Sequence, residues 1–184
     1  MKKIKTVVML MILSSILTTF SCTKEKDTPQ PTPTPAPPTS TCPTGYTGTN
    51  CVTQITPSKI RINKITVTRH PALDGGNTWD LTSNADIYVT LTVSGAPSPF
   101  FTSGVYQDAN STLDYDFTNG LPIDLIGPTL TYEIRLFDED GTSVDDYMGG
   151  ISFIPYSSTA GFPSIITIDG GGSVAFQLHV TYIF

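Results

Sequence analysis

Charge is scarce in this chain. Only 14% of its 184 residues are Asp, Glu, Lys or Arg, against about a quarter in ordinary globular domains. A long disordered acidic chain is therefore excluded. The formal net charge of −6 argues against nucleic acid as a partner, because phosphate contacts require Lys and Arg. With 39% hydrophobic residues, the chain has enough apolar side chains to build a core.

The sequence also lacks a catalytic signature. It contains no Gly-Lys-Ser/Thr phosphate loop and no Gly-x-Ser-x-Gly motif, and it has only 2 His. His70 precedes a proline at a predicted strand end, and His179 falls in an alternating strand, where a packed or exposed strand position is the simpler interpretation. A pair of carboxylates could serve glycoside hydrolysis. No residues specify such a pair, so we expect that the protein is not an enzyme.

The N-terminal apolar run is short. Three lysines within the first five residues precede an apolar stretch that continues to Leu17. This stretch is too short to span a bilayer comfortably, and it predicts a secretory signal peptide over residues 1–21. The alternative is a membrane anchor that is never cleaved.

Cys22 follows Thr18-Thr-Phe-Ser21. This arrangement resembles the lipobox of bacterial lipoproteins, although Thr19 stands where the usual pattern has Leu. The resemblance implies that Cys22 becomes the first mature residue and carries lipid. It also implies a lipid-anchored protein of the bacterial cell envelope, in the outer membrane, facing the periplasm or the exterior.

Removal of residues 1–21 changes the counts. The remaining chain has 7 basic and 16 acidic residues, so its net charge is 7 − 16 = −9. The odd number of cysteines is also resolved, because a lipidated Cys22 leaves Cys42 and Cys51 to form a disulfide in an oxidising compartment.

Residues 22–41 carry a run of prolines. Six of the fourteen residues from Thr28 to Thr41 are Pro, which excludes helix and sheet and favours an extended polyproline II spacer. A stalk that holds the following residues away from the membrane is the main interpretation. A docking motif for a proline-binding partner is the alternative.

Residues 42–58 contain the ten-residue segment Cys42-Pro-Thr-Gly-Tyr-Thr-Gly-Thr-Asn-Cys51. It resembles the last loop of an EGF-like module. Gly45 and Gly48 would supply positive φ for a tight reversal, with Tyr46 over the disulfide. The four upstream cysteines of a complete module are absent, so we expect a small disulfide knot without a calcium site. A role in partner binding is the alternative.

Residues 59–184 alternate between apolar and polar side chains almost throughout. Gly, Pro, Asn and Asp clusters separate the runs, and no sustained helical stripe occurs. About eight short strands at this spacing predict an all-β, eight-stranded antiparallel β-sandwich. The predicted strands are 60–68, 87–93, 104–107, 113–117, 130–137, 148–154, 165–168 and 174–184, with a hairpin turn at residues 170–172.

Acidic residues crowd one predicted loop of this domain. Five carboxylates occupy the nine positions from Asp138 to Asp146. Such crowding costs free energy unless a cation compensates it, and oxygen-only sites on loops suit Ca²⁺. An EF-hand is excluded, because Ser143 stands where that loop needs Gly and Gly149 stands where it needs Glu.

Two loops resemble those of calcium-binding C2 domains. Asp138-x-Asp140 with Asp145-Asp-Tyr-Met-Gly149 is similar to the third calcium loop, and Asp80 with Asp86-Ile-Tyr-Val89 is similar to the first. Ile87 replaces the usual Pro, and 113–117 lacks the usual Asn-Pro-x-Trp-Asn-Glu stretch. The resemblance implies a C2-like sandwich with one or two Ca²⁺ ions, and Asp145 directed away or assisting through water. The implied ligands are Asp80, Asp86, Asp138, Asp140 and Asp146.

The resemblance implies calcium-dependent contact with anionic lipid or an envelope glycolipid, aided by apolar loop tips at Leu73, Trp79, Leu81 and Val144. A basic patch is not evident, since the domain's cations lie mostly on its first strand. One alternative is an adhesion module in which Ca²⁺ rigidifies loops that dock a protein partner. Another is a structural sandwich whose acids form a solvated rim without metal.

Overall fold

The structure is a computed structural model that describes residues 42–80, 83–141 and 143–184. The predicted signal peptide, Cys22 and the predicted proline stalk therefore lie outside the described residues. The described residues belong to one compact unit. Within the described ranges the helical content is one short 3₁₀ turn at Thr49–Cys51. No helix there is long and apolar enough to cross a bilayer.

Twelve strands follow one another in the described part of the chain. In order from β1 to β12 they are Tyr46–Thr47, Thr53–Gln54, Lys59–Arg69, Ala85–Val93, Phe101–Thr102, Tyr106–Ala109, Tyr115–Phe117, Ile123–Leu125, Tyr132–Asp138, Asp146–Phe153, Ile165–Asp169 and Ala175–Ile183. The first two form a small antiparallel pair within the knot. The other ten form two antiparallel sheets.

Each sheet has four strand positions. In each sheet, two short strands that pair with the same long strand share one of these positions. In one sheet the order is β10, β9, β4, with β5 and β6 both pairing with β4. In the other it is β11, β12, β3, with β7 and β8 both pairing with β3. If each such pair of short strands counts as one strand, eight strands form the sandwich. The predicted all-β, eight-stranded antiparallel β-sandwich is thereby confirmed.

The core lies between the sheets because apolar residues alternate along the long strands. On β9 every second residue from Tyr132 to Leu136 is buried, and the residues between them are half-buried. β4 buries Ile87, Val89 and Leu91 in the same way. The predicted and observed boundaries of the eight predicted strands agree within two residues at every end. The sequence pattern missed the short segments β5 and β8, which have too few residues for a period to be visible.

The knot is closed by the predicted disulfide between Cys42 and Cys51. It packs on the sandwich through the edge of the Tyr46 ring, which lies 5.5 Å from the ring of Phe162 between centroids. The Ser58 N–H donates to the carbonyl of Ile183 at 2.7 Å. The knot therefore lies at the end of the sandwich where β3 begins and β12 ends. We call this the knot end.

Candidate metal centre

The five predicted ligands lie at the opposite end of the sandwich, which we call the acidic end. Asp138 closes β9, and Asp146 opens β10 directly across from it in the antiparallel register. Asp86 is the second residue of β4, and Asp80 lies in the loop that precedes β4. Asp140 follows β9 by two residues. Strand pairing thus places four separate chain segments around one sheet corner.

Asp138 is the most unusual of these residues. Its side chain is 0% exposed, and its Oδ1 accepts the backbone N–H of Asp86 at 2.5 Å. Its Oδ2 is buried without a hydrogen-bond partner. Burial raises the pKa of Asp138 to about 6, the Asp86 N–H opposes this rise, and the charges of Asp80, Asp140 and Asp86 add to it. A buried acceptor that is left unpaired costs about 1–3 kcal/mol, and more when it is charged.

Asp86 holds two loops in place. Its Oδ1 accepts the backbone N–H of Asp108 at 2.6 Å, and its carbonyl accepts the N–H of Glu139 at 2.7 Å. The Oδ1 of Asp108 in turn accepts the backbone N–H and the amide N–H of Asn84, both at 2.9 Å. Asp108 adopts φ +57°, a conformation that Asp tolerates better than most residues. These bonds fix the start of β4 beside the end of β9.

Asp145 braces the acidic loop through two hydrogen bonds. Its Oδ2 accepts the hydroxyl of Tyr88 at 2.6 Å, and its Oδ1 accepts the backbone N–H of Asp140 at 3.2 Å. Burial together with this hydrogen bond keeps Tyr88 protonated, because both raise its pKa. The position of Asp145 is that of a residue that supports the loop and leaves the predicted ligands free.

The remaining two acids are less constrained. Asp80 Oδ2 accepts the hydroxyl of Ser83 at 3.0 Å, and the Asp146 side chain is exposed. In the described ranges, no three acidic, His or Cys side chains already stand together as a complete metal site. Without a cation, mutual repulsion between carboxylates opposes a closer arrangement. The ligand set therefore stays a prediction.

The donor set nevertheless fits a calcium ion. All the predicted ligands offer carboxylate oxygens, which are the ligands that Ca²⁺ takes. The unpaired, buried Oδ2 of Asp138 lacks the positive partner that a bound cation would supply. The charges of Asp80, Asp86 and Asp140 act on this same carboxyl group, so these three predicted ligands lie near enough to influence it.

Sequence reasoning missed Asp108, Asn84 and Tyr88, which position the predicted ligands. Tyr88 could have been found, because strand alternation places it two residues from Asp86 on the same sheet face. No local signal marks Asp108, because its role depends on β6 pairing with β4.

The apolar tips that the sequence suggested differ in exposure. Val144 is 88% exposed, and Leu73 is also exposed. Trp79 instead packs against the core and donates its indole N–H to the carbonyl of Pro71, so its expected role as an exposed tip is wrong. Leu81 lies outside the described residues.

The cations of the first long strand are engaged in ion pairs. They pair as follows: Lys59 and Arg61 with Asp124, Lys64 with Asp116, and Arg69 with Asp169. Exposed pairs of this kind contribute little to stability. They do place a carboxylate beside each cation, which reduces its attraction for an anionic partner.

The two histidines make their contacts with residues outside the predicted ligand set. His70 is buried, with its ring 5.8 Å from that of Tyr115 in an edge contact, and burial lowers its pKa. His179 lies on β12, 3.4 Å from the hydroxyl of Thr66.

Comparison with known proteins gives similarities of structure only. No protein family profile and no curated protein matches the sequence. Similar solved structures include human GIVD cytosolic phospholipase A2, with 20% identity, a TM-score of 0.45, and coverage of 69% of this chain and 18% of that chain. A structure titled as a C2 domain matches with 17% identity, a TM-score of 0.45 and coverage of 67% and 97%.

A third similar structure contains two C2 domains of extended synaptotagmin 2 and is described as calcium bound. Its identity is 19%, its TM-score is 0.42, and the match covers 70% of this chain and 47% of that chain. These similarities are too low for any residue's role to be transferred.

Proposed function

We propose that residues 59–184 form a C2-like calcium-binding module of a lipid-anchored envelope protein. The observation that carries this proposal is the fully buried Asp138, whose Oδ2 has no hydrogen-bond partner. The charges of three other acids also raise the pKa of this carboxyl group. Asp80, Asp86, Asp138, Asp140 and Asp146 would hold Ca²⁺, whose positive charge would offset part of the negative charge of these carboxylates. We propose no catalytic role for these carboxylates.

Calorimetry and thermal unfolding of the full chain test calcium binding. We expect a dissociation constant of about 10⁻⁴ to 10⁻³ M, as in extracellular modules, and a rise in melting temperature with Ca²⁺. Asp138→Asn should abolish both effects. Asp116→Asn is the matched control, because Asp116 pairs with Lys64 away from the site. Absence of heat and of any melting shift at millimolar Ca²⁺ would overturn the proposal.

We further propose that bound Ca²⁺ connects the acidic end to anionic lipid or to an anionic glycolipid of the envelope. The acidic end on its own repels anionic headgroups, so a cation is required between the two. The exposed Val144 offers an apolar contact. The Cys22→Ser chain, which cannot carry lipid, should sediment with anionic vesicles only when Ca²⁺ is present, and equal sedimentation in chelator would contradict this contact.

A protein partner is the second candidate. The pairing of the β3 cations with carboxylates favours it, because these cations are then less available to anionic headgroups. In this case Ca²⁺ would rigidify the acidic loops for docking. Capture of a partner that is lost in Asp138→Asn with Asp140→Asn, together with no vesicle binding, would support docking over lipid contact.

Attachment to the membrane through Cys22 is a separate part of the proposal, and its basis is the lipobox-like segment. Metabolic labelling with a radioactive fatty acid in a bacterial host tests it. Label should appear in the wild-type chain and be absent from Cys22→Ser, while Cys42 and Cys51 stay paired in both. Equal labelling of the two chains, or none in either, would contradict the anchor.

A further inference from the structure

The two ends of the sandwich differ sharply in charge. The knot end is formed by four segments, residues 42–58, 94–100, 126–131 and 154–164, and none of them contains Asp, Glu, Lys or Arg. Contacts hold these segments together, including the bond from the Tyr156 N–H to the Pro128 carbonyl at 3.0 Å. The acidic end contains all five predicted calcium ligands. The domain is therefore electrically asymmetric along its long strands.

The uncharged knot end also exposes large apolar side chains. Single exposed apolar residues are common on protein surfaces, but a patch of them marks an interaction site. Ile126 is 72% exposed, and Phe100 and Leu130 are about half exposed. These three line a groove of about 430 Å³ whose wall includes the ring of Tyr132. Val52, Ile55 and Ile154 extend the exposed apolar surface at this end.

The charges nearest the groove do not oppose an anionic surface. Asp124 lines the groove, and it is bonded to Lys59 at 2.5 Å and to Arg61 at 2.8 Å. These three side chains carry a net charge of +1. A bilayer with anionic lipid would thus meet an apolar surface with a slight positive charge at the knot end, and a strongly negative surface at the acidic end.

The chain enters the domain at the knot end. Cys42 lies there, 20 positions after Cys22 in the sequence (42 − 22). If Cys22 carries the anchor, as proposed above, this tether keeps the groove at an effective concentration of about millimolar relative to the anchoring bilayer. A contact with a dissociation constant of about a millimolar or less is then populated, and it replaces the separation from the membrane that the proline-rich sequence alone predicts.

We infer that the knot end, through Phe100, Ile126 and Leu130, rests in the interface of the bilayer that carries the anchor, without need of Ca²⁺. The acidic end then faces away from that bilayer. The anionic partner of the calcium loops accordingly belongs to a different surface. This inference rests on the proposed anchor and adds an orientation to it.

Tryptophan fluorescence can test the orientation, because Trp79 is the one Trp in the chain. In a Trp79→Phe background, the matched variants Ile126→Trp and Val144→Trp place a single indole at an exposed apolar position of either end. The full chain is coupled through Cys22 to a maleimide lipid in vesicles of phosphatidylcholine with brominated acyl chains. This coupling supplies the tether even if cells do not lipidate Cys22, so failure of the anchor and failure of the orientation are distinguishable.

In chelator, we expect brominated lipid to reduce the Ile126→Trp emission about twofold, since interfacial side chains lie about 5–10 Å into the headgroup and acyl boundary. The Val144→Trp emission should not change. Equal quenching at both positions, or quenching at Val144→Trp alone, would overturn the orientation. A blue-shifted but unquenched Ile126→Trp emission that depends on protein density would assign the groove to a second copy of the chain, which also overturns it. Addition of Ca²⁺ should leave the pattern unchanged.

Discussion

Asp138 accepts the backbone N–H of Asp86 through Oδ1, while its buried Oδ2 has no partner. The first contact ties the end of β9 to the start of β4. The second leaves a carboxylate oxygen without compensation at the point where four acidic segments meet. This arrangement is costly for the metal-free protein, and the cost has consequences that can be measured.

Replacement of Asp138 should stabilise the metal-free protein at neutral pH. The folded pKa of about 6 lies above the ordinary value near 4, so the folded state binds the proton more tightly than the unfolded state. Ionised Asp138 therefore lowers the free energy of unfolding, by about 3 kcal/mol at pH 7. This loss of stability is fully present above pH 6 and disappears below pH 4. In EDTA, Asp138→Asn should therefore melt a few degrees higher at pH 7 and equally at pH 4. Asp146→Asn, at the exposed cross-strand neighbour, is the control. A lower melting temperature for Asp138→Asn at both pH values would contradict this account.

Loss of the Tyr88 hydroxyl should weaken calcium binding without unfolding the sandwich. Tyr88→Phe removes the bond to Asp145, so the loop that carries Asp140 is held by one contact fewer. A net hydrogen-bond contribution of about 1 kcal/mol predicts about a fivefold higher dissociation constant. Tyr147→Phe, at an exposed tyrosine on β10, should leave calorimetric titrations unchanged. If both variants bind Ca²⁺ like the wild type, the bracing role of Asp145 is wrong.

Two glycines of the knot provide a matched test of its packing. Gly45 and Gly48 both have positive φ, +88° and +82°, so Ala at either position costs about 1–3 kcal/mol of backbone strain. A Cβ at Gly45 would also meet Phe162 and Phe184 at 2.6 Å, whereas a Cβ at Gly48 would meet only Thr53, at 3.2 Å. Urea unfolding should show Gly45→Ala to be less stable than Gly48→Ala by about a further 1–3 kcal/mol. Equal losses would mean that the knot does not pack on the sandwich.

His70 should make the metal-free protein lose stability in acid. Burial lowers its pKa, so below the ordinary value near 6.5 the unfolded chain takes up a proton that the folded state does not. Stability from this residue is complete above pH 6.5 and falls as the pH drops below it. Protonation of Asp138 has the opposite effect, because it raises stability as the pH falls. In an Asp138→Asn background, stability should therefore fall between pH 7 and 5. His70→Phe should flatten the curve. A flat curve before His70 is replaced would refute this assignment.

Much of the fold follows from local pattern. Residues 60–68 and 87–93 alternate so regularly that one face of each strand must be buried, and both are strands in the structure. The hairpin at Gly170–Gly172 between β11 and β12 could also be predicted from the sequence, and the structure confirms it. The division of β5 from β6 and of β7 from β8 could not be predicted, because it reflects how β4 and β3 are paired along their length.

The sequence by itself determined the alternation of the strands, the two acid-bearing loops and the cysteines available for a disulfide, since each depends on residue type and spacing along the chain. Only the tertiary structure decided that Asp138, among its acidic neighbours, is buried with an unpaired oxygen. It also decided that the knot seats against Phe162 and Phe184, and that uncharged segments from four places gather at one end. Burial and long-range pairing depend on which segments meet across the sheets, and the spacing of residues along the chain does not contain that information.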